Sequence, residues 1–147
     1  MRALLALVLV ACATVVAACG GSSRLSRDDF AAKANGVCRK YNDELRSLPQ
    51  PRSASEFADF VHKGKSLVKQ EIGELRRLKP PSDLQPSFDR MLAAADRGLP
   101  ILDRMETAAR GGDLKKAQDL DQQLSAADQQ ANATARRLGL ATCAARA

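Results

Sequence analysis

An all-α fold, an up-down-up-down four-helix bundle closed by one disulfide, is what the sequence predicts. Apolar residues recur at spacings of three and four through four successive segments. Pro49-Gln50-Pro51, Pro80-Pro81 and Gly111-Gly112 stand between those segments as stops. No stretch alternates at the period of two that a half-buried strand requires, and nothing repeats at a solenoid period. Helices joined by links this short pack antiparallel to their neighbours.

The first segment lies outside the bundle. Arg2 is a short positive region, Ala3 to Val16 form an apolar run, and Val16-Ala17-Ala18-Cys19 follows. This is the layout of a secretory signal, residues 1–18, ending at a lipobox-like site with Cys19 as the first mature residue. An ordinary cleaved signal would accept alanine where Cys19 stands. A membrane-spanning helix needs about 20 apolar residues, and this run stops sooner, at Gly20-Gly21-Ser22-Ser23. The expectation is a Cys19 carrying diacylglycerol and palmitate-type chains, each buried CH₂ contributing about 0.8 kcal/mol. The protein is then held at the extracytoplasmic face of the cell membrane without a spanning helix, by a tether of residues 19–25. That tether reaches at most about 25 Å when fully extended.

The helical domain is expected over 26–147. Ser26 is a good N-cap, with Asp28 and Asp29 in the first turn, and Phe30, Ala34, Val37, Tyr41, Leu45 and Leu48 form one face. Ser53-Ala54-Ser55-Glu56 reads as a capping box for the second helix. Its apolar arc, from Phe57 to Leu78, also contains Gly64, expected to admit a close neighbour, and the carboxylate Glu71. Leu84, Phe88, Met91, Leu92, Ala95, Leu99, Leu102 and Met105 mark the third helix, with a kink expected near Pro100. Asp113 caps the fourth, which runs through Leu120 and Leu124 to Leu138, and Gly139-Leu140 reads as a Schellman stop.

Hydrophobic residues make up 45% of the chain and charged residues 27%, a globular rather than a disordered composition. With no Trp and one Tyr, the core is built from aliphatic residues and is thin. The net charge of +6 on an exported protein points to anionic lipid or cell-wall polymer and away from nucleic acid. Cys12 leaves with the signal and Cys19 is acylated, so Cys38 and Cys143 remain. Outside the cytoplasm two such thiols form a structural disulfide; a reactive pair is the alternative, although neither lies in a C-x-x-C. In a four-helix bundle this bridge requires the tail after Gly139 to fold back along helix one, or the helices to be staggered.

Catalytic chemistry is sparse. The single histidine, His62, has Asp59 one turn earlier, a degraded copy of the Glu-x-x-His pair of di-iron bundles. Zinc needs three or four ligands, and no nucleophile elbow or phosphate-binding glycine loop is present. The expectation is a protein that is not an enzyme and holds no metal or cofactor. Two further features bear on function. Arg24, Arg27, Arg76, Arg77, Lys79, Arg136, Arg137 and Arg146 gather at the membrane-proximal end, where they would touch anionic lipid or simply complement helix dipoles. Glu71, Leu99, Leu102 and Met105 surround the Pro100 region as a possible pocket for a small apolar ligand. Glu71 there is either a solvated edge residue or a buried acid.

Val16–Cys19, Phe30…Ala34-Asn35-Gly36-Val37-Cys38, Leu78-Lys79-Pro80-Pro81 and Leu138-Gly139-Leu140…Cys143 together resemble the small, largely uncharacterised lipoproteins of high-GC actinobacteria. The resemblance spans the mature domain. It implies a membrane location, an all-helical fold and the Cys38–Cys143 bridge, and it implies no activity or ligand. Two functions are therefore in view: a non-catalytic binding or structural module, and a carrier or sensor of a small apolar ligand. A filled bundle favours the first, and a pocket lined by Leu, Met and Phe near Pro100 favours the second.

Overall fold

The computed structural model describes residues 23–145. The segment expected to be a signal, Cys19 and Arg146 lie outside the described residues. Four long helices follow one another: α1 (Arg27–Ser47), α2 (Ala54–Arg76), α3 (Gln85–Arg110) and α4 (Leu114–Arg137). A one-turn helix, α5 (Ala141–Ala144), ends the described chain. The fold is all-helical, as the periodicity predicts.

The termini of the helices carry the residues expected of them. Ser26 Oγ accepts from Asp29 N at 3.1 Å and Ser53 Oγ from Glu56 N at 3.2 Å. Glu56 returns its carboxylate to the N–H of Arg52 at 2.6 Å, one residue before the position a capping box uses. Gly112 and Gly139, at φ 75° and 74°, turn the chain out of α3 and α4 through the left-handed region. At the second, Leu140 N donates to Ala135 O and Gly139 N to Arg136 O, the paired bonds of a Schellman motif. Helix α3 runs from Gln85 to Arg110 with Pro100 inside it; the ring costs the helix one backbone hydrogen bond there.

Helices α1–α2, α2–α3 and α3–α4 pack as consecutive antiparallel pairs, and α5 packs against both α1 and α4. Direct packing of α1 on α4 is slight. The core divides accordingly. One cluster joins Phe30, Ala34 and Cys38 of α1 to Leu75, Phe88, Met91, Ala135, Leu138, Leu140 and Cys143. Within it the rings of Phe30 and Phe88 meet edge to face at 5.0 Å. The second cluster, Val61, Met105, Ala108, Ala117 and Leu120, draws on α2, α3 and α4 and contains no residue of α1. Among the described residues both clusters, with the residues packed on them, lie between Leu25 and Ala144.

The bundle closes on itself through α5. Cys38 and Cys143 are joined, with Cα atoms 5.0 Å apart. Of the two ways to make that bridge, the chain takes the first: after Gly139 the tail folds back onto α1. Thr142 N donates to Asn35 Oδ1 at 2.9 Å, and Asn42 Nδ2 donates to Thr142 O at 3.2 Å. Asn35 Nδ2 also donates to Gly139 O at 3.5 Å, and since Asn35, Cys38 and Asn42 lie along one side of α1, a single strip of that helix holds the tail by three side-chain hydrogen bonds and one covalent bond.

Gly64 is not the point of close approach. A Cβ there would sit 3.6 Å from Leu45 Cδ2, an ordinary contact. The tight approach is at the buried Gly98, where a Cβ would lie 3.1 Å from Leu124 Cδ1. Helices α3 and α4 make the most extensive pairing of the bundle, and Gly98 lies within it.

Candidate functional site: a groove between helices one and four

Where α1 draws away from α4, the bundle is open. A cavity of about 570 Å³ lies in this seam and reaches all four long helices. That volume falls within the roughly 300–1,000 Å³ of small-molecule sites. One wall is apolar: Phe57, Phe60, Val61 and Val68 of α2 with Ala95, Gly98, Leu102 and Met105 of α3. Phe57, Phe60, Val68 and Leu102 remain half-buried, because no α1 side chain covers them fully. The other wall is largely polar and belongs mostly to α4, where Asp121, Ser125, Asp128, Gln129 and Asn132 surround Leu124. Asn42, Leu45 and Arg46 of α1 complete it.

The polar wall was hidden in the periodicity of α4. A second, shallower hollow, sharing Phe57 and Asp121 with the first, continues along Ala117 and Gln118 to Leu114, Arg52 and Ser53. The α4 residues of the two hollows fall within one arc of about 140° at 100° per residue. From Leu114 to Asn132 they span about 27 Å at 1.5 Å per residue. This arc overlaps the edge of the Ala/Leu stripe, with which it shares Leu114, Ala117 and Leu124, and its polar residues lie where a closed bundle would present a second apolar face to α1. Polar residues at such positions are errors in a purely structural helix. Leu114, at the outer end, is the large hydrophobic residue exposed among the described residues, at 52%.

Leu102 and Met105 line the cavity, as the expectation for the Pro100 region had it, while Leu99 and Glu71 are not among its lining residues. Glu71 sits on α2 one turn beyond Val68, toward the disulfide. It is fully buried, beside a void of about 20 Å³ bordered by Cys38, Cys143, Ile72 and Leu92. That void shares Ala95 and Asn132 with the large cavity, so Glu71 lies behind its inner end and not inside it. Of the two readings of Glu71, burial is the correct one.

The charged groups elsewhere are engaged locally. His62 Nδ1 lies 3.1 Å from Glu106 Oε1, in a cluster that joins α2 to α3. Lys65 Nζ contacts Asp103 at 2.6 Å and Glu106 at 2.8 Å, and Arg110 contacts Glu106 at 3.1 Å and Asp59 at 3.3 Å. Lys65, with His62 and Arg110, holds the Glu106 carboxyl down to about 2. A second cluster places Glu74 against Lys40 at 2.8 Å and Tyr41 Oη at 2.7 Å. Lys40, then Tyr41, lowers the Glu74 carboxyl below its ordinary value, while burial first and Glu74 second raise the Tyr41 hydroxyl. Among the described residues no three His, Cys, Asp or Glu side chains converge as a metal-ligand set.

At the end shared by the start of α1 and the ends of α2 and α4, several expected cations pair with neighbours. Arg27 pairs with Asp83, and Arg76 with Asp96 at 2.5 Å. Arg24 donates to Pro80 O and to Gln85 Oε1, each at 2.9 Å, and Arg137 Nε donates to Ala133 O. Arg77, Lys79 and Arg136 are exposed at the same end. No helix of the described residues is long and apolar enough to cross a membrane.

No protein-family model, curated protein or solved structure matches the chain.

Proposed function

We propose that the protein is a lipid-anchored, extracytoplasmic binding module that carries or senses a small apolar ligand in the groove between α1 and α4. Of the two functions in view, the open seam favours this one over a filled structural bundle. The observation that carries it is the Phe-, Leu- and Met-lined wall of α2 and α3 facing a largely polar face of α4 across an open cavity of about 570 Å³. The disulfide supports the reading by closing the bundle at one end, so that the seam stays open without the helices separating. Anchoring through Cys19 rests on the lipobox-like sequence, and the cations at the base of the bundle would add contact with anionic lipid or cell-wall polymer.

Native mass spectrometry of residues 20–147, exported by a host that forms the disulfide, tests the proposal together with uptake of the neutral dye Nile red. One apolar molecule retained per chain, or saturable single-site dye uptake, is the expected result. Gly64→Leu should abolish either, since a side chain there grows into the cavity while its Cβ meets only an ordinary contact. A clean mass together with no saturable dye uptake would overturn it.

A further inference from the structure

We infer that the ligand of the groove carries a hydrogen-bonding group, a hydroxyl, carbonyl or amide, held at the inner end by the side-chain amide of Asn132, with its apolar body on the α2–α3 wall. The inference rests on the groove being the working site and adds the chemistry that the site recognises.

Position comes first. Asn132 borders both the large cavity and the small void beside the disulfide, so it stands at the cavity's inner end. Asn42, one turn beyond Cys38 on α1, lines the same cavity and is tied to Thr142 of α5. Exposure falls in that direction: Asp121, Ser125 and Gln129 are exposed, Asp128 and Asn132 are half-buried, and Asn42 is buried. Phe57 borders both the cavity and the outer hollow, which sets the aromatic part of the wall toward the open end.

Charge does not choose the ligand. Asp121 shares the outer hollow with Arg52, Arg46 is paired with Asp43 at 3.3 Å, and Asp128 has a partner of its own. Hydrogen bonding does choose. The side-chain amide of Asn132 makes no hydrogen bond among the described residues. A ligand filling this end strips solvent from that amide, and a purely apolar one leaves its donor and its acceptor unpaired. A hydroxyl or an amide takes both roles, and a carbonyl accepts from the N–H. Packing alone does not account for the residue: asparagine is a poor helix former, and its neighbours on this stretch of α4, Ala131 and Ala135, border the same void as alanines.

The test is titration of the full chain carrying Cys19→Ser, exported with its disulfide formed, with biphenyl and with 4-hydroxybiphenyl. Both are uncharged at neutral pH, since a phenol titrates near about 10. Displacement of Nile red gives the affinities. The phenol should bind about threefold to tenfold more tightly and should shift the side-chain N–H signals of Asn132. Asn132→Leu, which is of similar size and a better helix former, should keep Nile red uptake and reverse the order in favour of biphenyl. Equal or tighter binding of biphenyl by the parent, or a preference for the phenol that survives Asn132→Leu, would overturn the inference while leaving the groove as a binding site. Absence of saturable binding by either compound and by the dye would remove the groove reading, and this inference with it.

Discussion

Asn35 and Thr142 are 107 residues apart in the chain, yet the N–H of Thr142 donates to Asn35 Oδ1 at 2.9 Å. This bond begins α5 and lays it on α1 one turn before the disulfide. Asn35→Ala leaves a part-buried donor unsatisfied and should cost about 1–2 kcal/mol in chemical denaturation, with faster hydrogen exchange at Thr142. Asn35→Asp keeps the acceptor and should lose less. An unchanged midpoint for Asn35→Ala would show that the disulfide alone holds the tail.

Cys38–Cys143 closes a loop with a sequence separation of 105. Chain-entropy reasoning for a loop of that size gives about 4.7 kcal/mol. Replacing both cysteines by serine should lower the melting temperature by about 10–20 °C. Dye uptake in the groove should fall as well, because α5 is what spans α1 and α4. Thermal melting in the presence of a thiol reductant provides the same comparison without mutation.

The Glu106 cluster gives the fold an acid limb. A carboxyl depressed by folding contributes stability above its unfolded pKa and loses it as pH falls through the folded value. For Glu106 that window runs from 4.5 down to about 2. Glu106→Gln should therefore lower stability at neutral pH by about 1–2 kcal/mol, after discounting for the exposed partners Asp103 and Arg110. The difference from the parent should close across that window. Denaturant midpoints measured from pH 7 to pH 2 check it, and a difference independent of pH would assign the loss to packing instead.

Two glycines should respond to alanine with opposite signs. Gly36 lies in the middle of α1, exposed, with nothing within 4 Å of an added Cβ. Gly36→Ala should stabilise by about 0.5–1 kcal/mol through helix propensity. Gly139, at φ 74°, ends α4 and aims the chain toward α1. Gly139→Ala should destabilise by about 1–2 kcal/mol. Thermal melts of the two variants, measured side by side, test the assignment.

Pairing at the basic end sets an expectation for the membrane. With Arg27 on Asp83 and Arg76 on Asp96, the unlipidated domain should bind anionic vesicles weakly and in a salt-dependent way. Asp83→Asn frees Arg27 and should strengthen binding, by about 1 kcal/mol at most. Cosedimentation with anionic and neutral vesicles reads the difference; binding indifferent to lipid charge would end any role for this patch.

Much of the fold was legible in local sequence. Ser26, Ser53 and Asp113 cap the helices they precede, and Gly139-Leu140 makes the predicted Schellman stop, because capping depends on neighbours within a few residues. The site was legible only in part. Leu102 and Met105 were found from the apolar stripe near Pro100. Asn42, Asp121, Ser125 and Asn132 were missed, although the spacing of Asp121, Ser125, Asp128 and Asn132 was visible as a polar arc beside the apolar one. An exposed helix face and the wall of a groove have the same polar composition in sequence.

By itself, then, the sequence determined the four long helices, their caps, their apolar stripes and the pairing of Cys38 with Cys143, but not the one-turn α5; the former follow from local geometry or from the scarcity of partners. Tertiary structure decided how far apart two helices stand. α5 packs on both α1 and α4, Gly98 admits Leu124 between α3 and α4, and α1 itself makes little direct contact with α4. The groove is a property of that spacing, set by contacts between residues a hundred positions apart, and periodicity along a single helix carries no record of it.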